Sequence, residues 1–194
     1  MVARFILIGI LAVLGPHISL AQRPAWSTSQ IKGSPNLPLP SQTERVFGDF
    51  QFKQPVTLTN APHTDSLFLL TLAGKIYELE SEFATKPRLV GDLSQVTECK
   101  SAYGLAFHPQ FRTNREIYVC YISEGNSPDG TKLSRFRLSD TNPVRLESDS
   151  EEVLYTWLSG GHNGGCVQFG PDGYLYVSAG DAASPFPPDP LKAG

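Results

Sequence analysis

The chain has 194 residues, with 16 lysines and arginines against 19 aspartates and glutamates and a formal net charge of −3. No basic cluster interrupts that mild acidity, which argues against a nucleic-acid partner. Charged residues are only 18% of the chain, while glycines number 17 and prolines 16, a balance that suits short strands joined by turns better than helices.

The first residues read as an export signal. Arg4 supplies a positive start, Phe5 to Leu14 is an apolar run, Gly15-Pro16 breaks it, and Ser19-Leu20-Ala21 offers small residues where a signal peptidase reads. The run is shorter than the ~20 residues that span a bilayer. The expectation is therefore a signal peptide over 1–21, cleavage after Ala21, no membrane span afterwards, and a periplasmic or secreted product. Residues 22–45 hold Pro24, Pro35, Pro38 and Pro40 and few apolar side chains, and read as an extended lead-in without a core.

From residue 46 to residue 194 the pattern is all-β. Pro55 to Thr59, Ser66 to Thr71 and Lys75 to Leu79 are short strand-like runs parted by Asn60-Ala61-Pro62 and Ala73-Gly74. A unit then recurs. Gly104-Leu105-Ala106-Phe107-His108-Pro109 leads to Ile117–Ile122, and Gly165–Gly170, followed by Pro171-Asp172-Gly173, leads to Tyr174–Ser178. The run at Pro55 is a looser copy. Starts at 55, 104 and 165 lie 49 and 61 residues apart, near the ~40–50 residues of a propeller blade. At that period the chain supplies about three blades, fewer than a closed ring needs, so the sequence reads as the front part of a longer protein.

Cys99, Cys120 and Cys166 fit no zinc or haem spacing. Cys120 and Cys166 lie in apolar runs and are expected to be buried, and an oxidising compartment would permit one disulfide. Pro128-Asp129-Gly130 and Pro171-Asp172-Gly173 read as turns, His63 as solvent-facing, His108 as structural, and the Tyr and Phe stripe as core.

The segment from Ser159 to Asp181 is the densest in chemistry. His162 sits among Gly160, Gly161, Gly164 and Gly165, which permit close backbone approach. In an antiparallel hairpin the start of the first strand and the end of the second share an edge, so His162 and Asp181 are expected to meet at one rim of the third blade. A carboxylate beside an imidazole fixes its tautomer and supports its cation, as a general base requires. A plain surface role for the same histidine stays open on these residues.

Gly104–Phe111, Ile117–Val119, His162–Gly165 and Phe169–Asp181 together resemble the glucose/sorbosone dehydrogenase family across roughly Val46 to Asp181. The resemblance implies a six-bladed β-propeller that uses pyrroloquinoline quinone (PQQ) and calcium. His162 would be the base that takes a sugar's anomeric proton, and Asp181 its supporting acid. Cys99 stands where relatives carry Gln or Glu, Ser101 where glycine is usual, and residues 182–188 replace a glycine-rich loop. The resemblance places the residues that hold PQQ and calcium beyond Gly194, and gives electrons to an exported acceptor such as a c-type cytochrome. Relatives of the Hedgehog-interacting kind imply an alternative, a propeller that binds protein or glycan without catalysis. A lactonase-like hydrolase would want several metal-ligating carboxylates that the sequence does not offer.

Overall fold

Thr71 and Gly74 set a tight turn: Gly74 N donates to Thr71 O at 2.9 Å, and Lys75 N to the Thr71 hydroxyl at 3.1 Å. Around it, β1 (Pro55–Asn60), β2 (Leu67–Thr71), β3 (Lys75–Leu79) and β4 (Arg88–Asp92) pair in sequence order as one antiparallel sheet. A second such sheet follows in β5 (Ser101–Phe107), β6 (Glu116–Ile122), β7 (Thr131–Arg137) and β8 (Glu152–Trp157). The hairpin β9 (Val167–Phe169) and β10 (Leu175–Val177) opens a third. The computed structural model describes residues 42–45, 47, 49–80 and 86–183. The expected signal peptide, nearly all of the lead-in and residues 184–188 of the variant loop lie outside them.

Two four-stranded meanders and a hairpin are the blades anticipated from the repeat. Strand alternation explains how they stack, because successive side chains leave a strand on opposite faces. Leu105 and Phe107 of β5 and Ile117, Val119 and Tyr121 of β6 face the first blade, closing a core with Phe68, Leu70, Ile76 and Val90. The intervening Ala106, Tyr118 and Cys120 face the third, where they meet Val167, Phe169 and Leu175. Phe107 packs on Phe68 at 4.7 Å between ring centroids and edge-on to Phe111 at the same distance, geometries that aromatic quadrupoles favour.

The ends of the blades divide the loops into two faces. His108, held by a bond from Gln110 N to its Nδ1 and set edge-on to Phe169, belongs to one face, with the turn at Pro171-Asp172-Gly173. The other face carries residues 93–100, 123–130, 158–166 and 178–183. His63 is exposed and the turn at Gly130 forms, as expected.

Two expectations are corrected. Cys166 is exposed, not buried: Val167 and Phe169 turn towards the second blade, so the pleat sends Cys166 to the opposite, uncovered side. Tyr155, Tyr174 and Tyr176 are likewise exposed and outside the core.

Candidate functional site: a histidine–aspartate pair at the rim of the third blade

The β9–β10 hairpin continues past its last regular pair. Ser178 N donates to Cys166 O at 3.0 Å, and the Ser178 hydroxyl accepts from Cys166 N at 3.3 Å. Gly164 and Gly165, at φ +62 and +156, then bend the chain outward. Pairing resumes beyond them. Gly180 N donates to Asn163 O, Ala182 N to His162 O at 3.0 Å, His162 N to Ala183 O at 3.0 Å, and Gly161 N to Ala182 O at 3.2 Å. The two segments approach so closely that a Cβ on Gly180 would stand 2.1 Å from His162 O, and one on Gly160 1.9 Å from Ala182 O. Both positions need glycine for space. Ala182 itself holds φ +56, a left-handed conformation that glycine adopts more readily.

This short ladder puts Asp181 opposite His162. Nδ1 of His162 lies 3.2 Å from Asp181 Oδ1, and the same carboxylate oxygen accepts from Ala183 N at 2.9 Å. The carboxylate selects the tautomer with hydrogen on Nδ1 and leaves Nε2 with its lone pair. The side chains are 52% and 42% exposed, so the pair opens onto the face of the loops.

Neighbouring elements frame that loop. Ser159 is buried; its hydroxyl accepts from Ser127 N at 3.1 Å and donates to Glu124 O. The carboxamide of Asn163 closes on Gly160 from both ends, accepting from its N–H at 2.6 Å and donating to its carbonyl at 2.7 Å. Sequence reasoning passed over Ser159 and Asn163, because side-chain bonds to backbone, local for Asn163 and more than 30 residues away in sequence for Ser159, leave no periodic trace. Their signal is only that Ser and Asn are the residue types that make such bonds.

On the same face a polar cavity of about 550 Å³ lies between the first two blades, lined by residues including Cys99, Lys100, Ser123 and Glu124. Burial, with Asp92 and Glu151 nearby, pushes the Cys99 thiol up to about 12. It stays protonated at neutral pH and offers a weak donor to that cavity. Ser101 opens β5 beside it. All three cysteines are free thiols. Among the described residues, no group of three or more His, Cys, Asp or Glu side chains is arranged to hold a metal ion, and no helix is long and apolar enough to cross a membrane.

The sequence profile of the family named "Glucose / Sorbosone dehydrogenase" matches residues 52–192. The chain belongs to that family. Among solved structures, the PQQ-bound aldose sugar dehydrogenase of Streptomyces coelicolor superposes over 73% of this chain and 42% of its own, with a TM-score of 0.59 at 20% identity. The soluble aldose sugar dehydrogenase of Escherichia coli, in its apo form, covers 66% of this chain and 38% of its own, with a TM-score of 0.53 at 22% identity. These two establish a shared fold. A structure described as glucose dehydrogenase matches at 25% identity over 67% of the chain and 39% of its own, with a TM-score of 0.54. By sequence, human Hedgehog-interacting protein is 29% identical over 147 residues, which is 66% of this chain and 21% of that protein. The chain thus spans about a fifth of the curated relatives it matches and about two fifths of the solved structures. The all-β, propeller-type fold expected from the repeat is the fold of the solved relatives.

Proposed function

We propose that the protein carrying this chain oxidises a sugar or related alcohol, with PQQ as hydride acceptor, His162 as general base and Asp181 as the group that orients it. The observation that carries this reading is the 3.2 Å contact between His162 Nδ1 and Asp181 Oδ1 on an open face. Family membership supports the redox class, and the PQQ-bound neighbour supports the choice of quinone.

The chemistry of the chain's own residues follows from that contact. His162 Nε2 accepts the proton of the anomeric hydroxyl as the carbon–oxygen bond gains double-bond character, and Asp181 stabilises the imidazolium so formed. The carbon gives up its hydrogen with both bonding electrons, so an aldose leaves as its lactone. The chemistry that PQQ would supply when bound is that of the hydride acceptor. An exported acceptor, such as a c-type cytochrome, would receive the two electrons afterwards. The exposed pair fits a base that works beside a separately held cofactor. Among the described residues none is given the task of holding PQQ or calcium, and export to the periplasm or beyond belongs to the same proposal.

The 29% identity to Hedgehog-interacting protein and the thiol of Cys99 favour a second reading, a propeller that binds a protein or glycan without turnover. One experiment separates the two: the full-length protein is reconstituted with PQQ and calcium and assayed on a sugar panel with a dye acceptor. PQQ-dependent reduction that falls at least about a hundredfold in His162→Ala is expected, the usual scale for a positioned base. A well-folded protein that binds no PQQ would overturn the catalytic reading in favour of the binder.

A further inference from the structure

His162 lacks the support that usually fixes a catalytic ring. Its side chain is half exposed, so packing does not lock its rotamer, and Asp181 constrains one nitrogen only. What remains is the frame of the loop. The ladder to residues 180–183 sets the register of His162, but a two-stranded ribbon held by a few main-chain bonds still twists about its axis. Asn163 stiffens the segment that carries His162. Its two bonds to Gly160 close a ring over residues 160–163 with His162 inside it, and buried Ser159 fastens the entry of the ring to the turn at Glu124 and Ser127.

Resting on the reading of His162 as the base, we propose that Asn163 is a positioning residue that holds the imidazole in line with Asp181, with Ser159 anchoring the ring it closes. The carboxamide is suited to this because it supplies one acceptor and two donors on one short stem. Alanine removes both bonds; aspartate keeps only the acceptor for Gly160 N–H. Glutamine, one methylene longer, does not fit a ring of this size. Asn163 does not act on substrate, so its effect should fall on turnover more than on binding.

The test uses the full-length, PQQ- and calcium-loaded protein with Asn163→Ala and Asn163→Asp. Misplacing a catalytic group by about an ångström costs up to about a hundredfold, so kcat of Asn163→Ala should fall about ten- to a hundredfold. KM should stay within about twofold, and Asn163→Asp should lie between it and wild type. Histidine-¹⁵N-labelled protein gives a second readout, the Nδ1–H signal of His162, assigned by its disappearance in His162→Ala. That signal should weaken in Asn163→Ala while the melting temperature changes little. Wild-type kcat with an intact Nδ1–H signal overturns the proposal, as does equal loss in both variants that tracks a fall in melting temperature. If Asn163→Ala does not fold, Asn163→Asp carries the same two measurements. If the wild type does not turn over, the base reading fails, and the Nδ1–H signal alone decides the role of Asn163.

Discussion

Three thiols of one chain sit in three environments, and residue-scale physics separates their reactivity. Burial pushes Cys120 up to about 12, and Cys99 reaches about 12 by burial with Asp92 and Glu151 adding to it. Against an ordinary thiol at 9.0, each holds about a thousandfold less thiolate at pH 8. Cys166 is exposed. Iodoacetamide at pH 8 is therefore expected to label Cys166 first, with Cys99 and Cys120 labelled only on unfolding; mass spectrometry of the digest reads the order. Early labelling of Cys120 would contradict its burial. The same shifts bear on stability. A thiol whose folded value is raised binds its proton more tightly when folded, so the folded state is undisturbed below about 9 and weakens as pH climbs from 9 towards 12.

Between strands the limiting feature is the closeness of β5 to the segment entering β9. A Cβ on Gly104 would lie 2.4 Å from Gly165 O and 2.8 Å from Val167 Cγ2, whereas Gly125 has nothing within 4 Å. Gly104→Ala pushes the hairpin off the second blade and is expected to destabilise by about 1–3 kcal/mol, the usual cost of overpacking. Gly125→Ala, in the open turn, should stay within about 0.5 kcal/mol. Urea unfolding of the two variants compares them directly, and equal midpoints would mean that the contact relaxes freely. β1, β2, β3, β6 and the third hairpin carry runs of Val, Ile, Leu and Tyr that announce a strand, and hairpin geometry alone brought His162 to Asp181. By contrast β4, β7 and β8 went unforeseen. β7 reads Thr-Lys-Leu-Ser-Arg-Phe-Arg, with Arg135 paired to Glu116 and Glu152, and β8 is mostly exposed. Their identity as strands comes from the neighbours they pair with, a tertiary effect that local pattern does not carry. The Asn163 ring stayed hidden for the same kind of reason, being made of side-chain bonds to backbone.

At the scale of the molecule, the described blades bury the faces they share and leave the outer ones open. On the first blade Val56 and Leu58 are 38% and 53% exposed. At the far end Tyr155, Tyr174 and Tyr176 are 66%, 71% and 56% exposed. Apolar faces of this extent mark surfaces that another element or molecule covers, and in a propeller the next blade does so. Residues 43–194 expressed alone are therefore expected to self-associate and to bind a hydrophobic dye; a monodisperse, cooperatively melting monomer by sedimentation would refute this. Substituting the exposed positions sharpens the test, because the same change should act with opposite sign in two settings. Leu58→Lys and Tyr155→Lys place charge on the open faces, and should reduce association of the isolated segment. If further blades cover those faces in the full-length protein, each lysine forfeits the ~1.5–3 kcal/mol of a buried apolar side chain and adds the cost of burying a charge. Full-length variants should then melt earlier than wild type. Unchanged melting would show that these faces stay open to solvent there too, as a surface kept for a binding partner would.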